Sequence, residues 1–214
     1  MNIHRNNYRF ESEVVLFING QFPEKIPQLT HFQKIYCTDG AYKSLKAKNI
    51  QPDVVSGDFD SIAITEISSE VKIIETPDQN ATDFEKALRI IIQDGFNSVS
   101  VFGCSGLEQD HFLGNLTLML KHKEEINIRC FDDFGFYFFA EKHTLLGGFK
   151  TEIFSLYPFP ETNNVTSTGV RYPLSNEDLS ITTKIGTRNT IIENTATVSF
   201  EEGNLLLFVQ NQSK

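Results

Sequence analysis

Two aspartates, Asp58 and Asp60, stand two residues apart in the stretch Pro52-Asp53-Val54-Val55-Ser56-Gly57-Asp58-Phe59-Asp60-Ser61. Val54 and Val55 read as the end of a buried strand, with Gly57 and Ser61 as turn residues beyond it. In an extended segment alternate side chains point to one side, so the two carboxylates would face a common point. Crowded carboxylates resist joint ionisation unless a cation lies between them. The chemistry expected here is a divalent-metal site at the mouth of an α/β sheet. A solvated acidic turn has the same local sequence, so the pair needs support from the rest of the chain.

That support comes from the elements around it. Apolar runs at Val14–Ile18, Lys34–Cys37, Asp53–Ser56, Val71–Glu75, Ser98–Phe102 and Ile126–Phe131 predict buried strands. Between them, Tyr42 to Lys48 reads as a short helix. Phe84, Ala87, Leu88, Ile91 and Ile92 recur on one face of a second, which Thr82 and Glu85 open in a capping-box pattern and Gly95 stops. A third helix opens at Asp110-His111, with Leu113, Leu116, Met119 and Leu120 on one side. Acids follow the strand ends, and open α/β sheets bind ligands beyond those ends. Asp39, Asp58, Asp60, Asp78, Asp83 and Asp110 are therefore expected to meet in one crevice. Asp83 read alone is equally a helix-start carboxylate favoured by the macrodipole, and His111 reads as a structural hydrogen-bond donor.

Past Glu141 helical periodicity stops, and β-branched or aromatic runs alternate with turns: Glu152–Tyr157, Ser180–Lys184, Thr195–Phe200 and Leu205–Val209. The last two, split by Glu201-Glu202-Gly203-Asn204, read as a hairpin, and Pro158-Phe159-Pro160 as an edge or loop. The joint is expected within 141–150, at Gly147-Gly148. This divides the chain into 1–145, an α/β domain with a mainly parallel sheet, and 146–214, an all-β sandwich or flattened barrel.

Composition narrows the function classes. With 214 residues, 40% of them hydrophobic, the chain can bury a substantial core. A formal net charge of −9 disfavours general nucleic-acid binding. The polar N-terminus, Met1 to Asn7, lacks a signal-peptide core, and no apolar run approaches the ~18 residues of a membrane span. Cys37, Cys104 and Cys130 form no C-x-x-C pair and read as buried, reduced thiols of a cytoplasmic protein. Cys/His zinc spacing is absent, as are the P-loop, the G-x-G-x-x-G fingerprint and the nucleophile elbow. Carboxylates, one placed lysine (Lys86) and glycine turns suit metal-assisted transfer of phosphorus groups, with magnesium as the ion.

Five sequence blocks together resemble the thiamine pyrophosphokinase family. They are Asp39-Gly40-Ala41, Pro52 to Ser61, Asp78-Gln79-Asn80-Ala81-Thr82-Asp83-Phe84-Glu85-Lys86-Ala87-Leu88, Asp110-His111-Phe112-Leu113-Gly114-Asn115 and Gly169-Val170-Arg171-Tyr172-Pro173-Leu174. The resemblance implies transfer of diphosphate from ATP to the hydroxyl of thiamine, releasing AMP. It also implies a Rossmann-like first domain, a C-terminal β-sandwich and a homodimer. By that likeness Asp58, Asp60 and Asp83 would hold Mg2+, and Asp39, Gln79, Thr82 and Lys86 would contact ATP. Asp110 would sit beside the thiamine hydroxyl and the metal cluster, and Thr187, Arg188 and Asn189 would contact thiamine.

One departure stands out. Where the family has an arginine facing the ATP phosphates, this chain has Glu108. An anion there should lose charge-assisted hydrogen bonds and add repulsion. Either another cation such as Arg188 or Lys43 substitutes, or Glu108 faces solvent, or activity is impaired. Two alternatives to the thiamine reaction therefore stay open: a diphosphokinase for another hydroxymethyl acceptor such as a pterin, and a non-catalytic thiamine or nucleotide binder.

Overall fold

A computed structural model describes residues 1–6 and 12–210; Asn7, the end of the polar N-terminal stretch, lies outside them. Residue contacts divide the chain into an α/β unit, Phe10–Asp133, and a β unit made of Met1–Arg9 with Phe134–Lys214. The chain opens with β1 (Asn2–His4), which belongs to the β unit.

The α/β unit then runs β2 (Val14–Phe17), β3 (Lys34–Thr38), α1 (Asp39–Ala47), β4 (Val54–Gly57) and β5 (Lys72–Glu75). It continues with α2 (Asp83–Gln93), β6 (Ser98–Phe102), α3 (Gln109–His122) and β7 (Asn127–Phe131). All six strands are parallel, in the order β5-β4-β3-β2-β6-β7. From β2 the chain builds outward through β3, β4 and β5, then returns to lay β6 on the other side of β2. The order thus reverses between β2 and β6, and parallel sheets leave a crevice beyond the carboxyl ends of the strands at such a point. Register puts Phe17, Phe102 and Phe131 side by side across β2, β6 and β7, with ring centroids 5.3 and 5.4 Å apart. This aromatic row, fully or nearly buried, fixes the central strands.

Helix α1 starts at Asp39, earlier than its apolar pattern suggests, so the first carboxylate of the site sits in a helix's first turn. In α2 the Thr82 hydroxyl accepts the Glu85 N–H at 3.3 Å, which is half of the expected capping box. The Glu85 side chain does not reach back to complete it. It turns instead to Arg89 (2.7 Å) and, on α3, to Lys121 (2.6 Å). On α3 the buried side chains are Leu116, Leu118, Met119 and His122, while Leu113 is 58% exposed.

The β unit comprises β1, β8 (Gly135–Phe139), β9 (His143–Gly147), β10 (Ile153–Thr168), β11 (Glu177–Ser180), β12 (Gly186–Thr190), β13 (Thr195–Ser199) and β14 (Glu202–Gln210). The 16-residue β10 organises it, pairing with β14 and β12 along its first part, β11 in its middle and β13 at its end. Several expectations from sequence change here. Of the run Ser180–Lys184 only Ser180 lies in a strand, at the end of β11; residues 181–183 turn the chain and Lys184 makes an isolated bridge back to Ser180. The Thr195–Val209 hairpin does not form: β10 separates the two strands, and among the described residues no ladder joins β13 to β14. Pro158-Phe159-Pro160 lies within β10, where the register to β14 breaks between Pro158 and Thr162 and so accommodates residues that cannot donate. The contact boundary at Phe134 also precedes the expected joint, because β8 pairs with β14 and β9 with β13 and β1. Those partners are distant in sequence, and local periodicity contains no trace of them.

Candidate active site

The turns after β2 and β6 form the floor of a cavity in the α/β unit. They touch so closely that a Cβ on Gly20 would lie 1.9 Å from the Gly103 carbonyl oxygen, and Gly103 itself has φ +91°. Gln21 N–H reaches the Ser105 carbonyl (3.0 Å), and the Asn115 side chain donates to the Cys104 carbonyl (2.9 Å), tying α3 to the β6 turn. Around this floor lies a cavity of about 510 Å³, lined among others by Thr38, Asp58, Gln79, Asp83, Lys86 and Asp110. It occupies the crevice that the strand order predicts.

The turn after β4 shapes the acid group beside it. Phe59 takes a left-handed backbone conformation, φ +61°, uncommon for a bulky residue and the kind of strain found at functional sites. Its N–H donates to Asp39 Oδ2 at 3.0 Å, while Gly40 N–H donates to Oδ1 at 2.8 Å. A Cβ at Gly57 would lie 2.3 Å from the Asp39 carboxyl carbon, so only glycine admits that carboxylate. The result is that Asp39, Asp58 and Asp60 each offer an oxygen within 4.8 Å of the other two. The extended geometry expected for Asp58 and Asp60 is thus replaced by a tight turn, in which Asp60 N–H donates to Asp58 Oδ1 at 3.3 Å. The pair still converges, by a different backbone route.

Burial pushes the Asp39 carboxyl up, opposed by its bond from Gly40 N–H and reinforced by the charges of Asp83 and Asp58. Asp58 is held below the usual carboxylate range, chiefly by the Gln79 side-chain amide at 2.9 Å. Three carboxylate oxygens with no sulfur or imidazole suit a hard cation of the magnesium type. Asp83, expected in the metal set, lies outside this trio. Its carboxylate meets Lys86 Nζ at 3.1 Å, and Lys86 is 7% exposed, so a buried ammonium already neutralises it.

Of the other expected residues, Asp58, Gln79, Thr82, Asp83, Lys86 and Asp110 all line the cavity. Asp78 is not among the lining residues; its carboxylate accepts from the backbone and side chain of Asn80. Thr187, Arg188 and Asn189 belong to β12 of the β unit. There Arg188 has φ +56° and gives its N–H to Ser155 Oγ (2.9 Å), while the Asn189 side chain staples the backbone of Tyr172. Glu108 lines the cavity and is exposed, its carboxylate 3.5 Å from His111 Nε2. Asn115, the last residue of the fourth family block, also lines the cavity, as do Asn19 and Thr38, to which the sequence assigned no role. The signal that could have found Asn19 and Thr38 was their place at the ends of adjacent parallel strands.

Comparison with known proteins agrees with this arrangement. The family model for the thiamin pyrophosphokinase catalytic domain matches residues 28–130, and that for the thiamin pyrophosphokinase vitamin B1 binding domain matches 142–205. Thiamine pyrophosphokinase of Bacillus subtilis is 28% identical over 202 residues, spanning 85% of this chain and 91% of that protein. Thiamine pyrophosphokinase 2 of Arabidopsis thaliana is 27% identical over 217 residues, spanning 86% and 81%. The structure of thiamin pyrophosphokinase from Candida albicans superposes with a TM-score of 0.85 at 17% identity, covering 99% of this chain and 92% of that one, which speaks to the fold. Matched in both of its parts and aligned with relatives over most of its length, the chain belongs to the thiamin pyrophosphokinase family.

Proposed function

We propose that the protein transfers the terminal diphosphate of ATP to the hydroxyl of thiamine, with magnesium as its ion, and acts as a cytoplasmic homodimer on a Rossmann-like catalytic unit. The observation that supports this most directly is the gathering of Asp58, Gln79, Asp83, Lys86 and Asp110 around one cavity beside the Asp39–Asp58–Asp60 group. The match of residues 142–205 to a vitamin B1 binding domain favours thiamine over a pterin as acceptor.

In this reading the thiamine hydroxyl oxygen forms a bond to the β-phosphorus of ATP, the bond from that phosphorus to the α-phosphate oxygen breaks, and AMP departs. Asp39, Asp58 and Asp60 hold the ion, which when bound offsets phosphate charge. Lys86 presents a desolvated ammonium to the phosphate chain, its position fixed by Asp83. Gln79 orients Asp58 through its amide. Asp110 takes the proton of the attacking hydroxyl. Thr187, Arg188 and Asn189 contact thiamine. Glu108 lines the cavity but is largely exposed, so water and salt screen its charge and it does not abolish turnover.

Coupled detection of AMP release tests the reading. AMP is expected with magnesium, ATP and thiamine together. Release only with hydroxymethyl pterins would replace the acceptor, and thiamine binding with no AMP under any condition would reduce the protein to a binder.

A further inference from the structure

Thr38 closes β3 and is 1% exposed, yet its hydroxyl has no hydrogen-bond partner among the described residues. Buried hydroxyls left unpaired are costly, and nearly all buried polar groups in folded proteins find a partner. Its direction follows from the strand. Side chains two apart share a face, and Tyr36, two residues earlier, sends its hydroxyl to Asp94 at the C-terminal end of α2. Thr38 therefore faces the side covered by α2, further toward that helix's N-terminal end. There, with Asp83 and Lys86, it lines the cavity.

We infer that the Thr38 hydroxyl is a further substrate-binding group, donating a hydrogen bond to a phosphate oxygen of the bound nucleotide; this rests on the proposed function. The surroundings select that ligand atom. Asp39, the next residue, belongs to the acid group, and the buried Lys86 ammonium lines the same cavity. A group placed between a cation site and an ammonium is anionic and rich in acceptors. The Gly20 and Gly103 turns pack backbone against backbone with no room for a Cβ, which fixes the strand ends beside Thr38. A hydroxyl adds a donor there without adding charge.

The test uses the full chain with Thr38→Val, which keeps the shape and removes the donor, and Thr38→Ser, which keeps the donor. Calorimetry would measure binding of two probes, the magnesium complex of a non-hydrolysable ATP analogue and that of inorganic triphosphate. Thr38→Val is expected to weaken both about tenfold, as for loss of one hydrogen bond to a charged group. Thr38→Ser should stay within about threefold of the parent by the same measure. The melting temperature of ligand-free Thr38→Val should equal or exceed the parent's, since an unpaired buried hydroxyl has been removed. Undiminished binding by Thr38→Val would overturn the inference, as would a loss seen with the nucleotide but not with triphosphate. A marked fall in its melting temperature would also overturn it, by making the hydroxyl structural. AMP release by the parent separates the two levels. A parent that turns over thiamine alongside an unaffected Thr38→Val refutes only the role of Thr38, whereas a parent that binds neither probe and releases no AMP refutes the function as well.

Discussion

The two units of this chain use strands in opposite ways. In the α/β unit six parallel strands point the same way, so their carboxyl ends lie along one edge and the turns after β2, β3, β4 and β6 all contribute to one site. In the β unit antiparallel pairs send successive ends to opposite edges, and cohesion lies in ladders along β10, which pairs with four other strands. The contrast teaches where each unit should be sensitive. Chemistry should fail at single strand-end residues in the first, and stability should fail at ladder contacts in the second.

The largest effect is expected at the acid group. Asp60→Asn should cut AMP release by about 100-fold or more while leaving the melting temperature unchanged, because Asp60 is exposed and works only by its charge. Near-normal turnover at saturating magnesium would break the assignment of chemistry to this turn.

The next effect lies behind the site. Glu85, buried on α2, bonds Lys121 on α3, so it holds together two helices that line the cavity. Its carboxyl is held below the usual range, first by the Lys121 hydrogen bond and then by Arg89. A lowered acid contributes stability that is present above its ordinary value of 4.5 and is lost as pH falls through the folded one. Glu85→Gln should therefore cost about 2 kcal/mol near pH 7 in denaturant unfolding. That gap should narrow as the medium is made more acidic, and a gap independent of pH would assign the loss to packing instead of charge.

In the β unit Thr162, fully buried, donates from Oγ1 to the Asn204 carbonyl at 2.6 Å between β10 and β14. Thr162→Val should cost about 1 kcal/mol of stability with no change in the KM for ATP. A shift in that KM would blur the division of labour. The smallest effect belongs to Glu108. Because Glu108 is exposed, with His111 as its ion-pair neighbour among the described residues, Glu108→Arg should lower the KM for ATP by no more than about threefold, an advantage that added salt removes.

Much of the α/β unit was legible in advance. Each of its strands falls where an apolar run predicts one, and Thr82 caps α2 because a hydroxyl three residues before a glutamate offers the right acceptor locally. The acids of the site were visible too, since they follow strand ends. Their grouping was less so: Asp39 joins Asp58 and Asp60, Lys86 claims Asp83, and Asp78 turns to Asn80. Those outcomes depend on the left-handed turn at Phe59 and the space left by Gly57, neither of which periodicity encodes.

Sequence by itself determined the strands and helices of the α/β unit and some strands of the β unit, which residues have chemistry to offer, and to which family the blocks point. All of these depend on properties of a residue and its near neighbours: side-chain type, hydrophobic period and backbone propensity. Only the tertiary structure decided that β10 separates β13 from β14, that β8 and β9 join the β unit, and that three particular carboxylates share one point. A buried face shows in sequence as a pattern of apolar residues, but the partner that buries it is chosen by the whole chain, through ladders and turns between residues far apart along it.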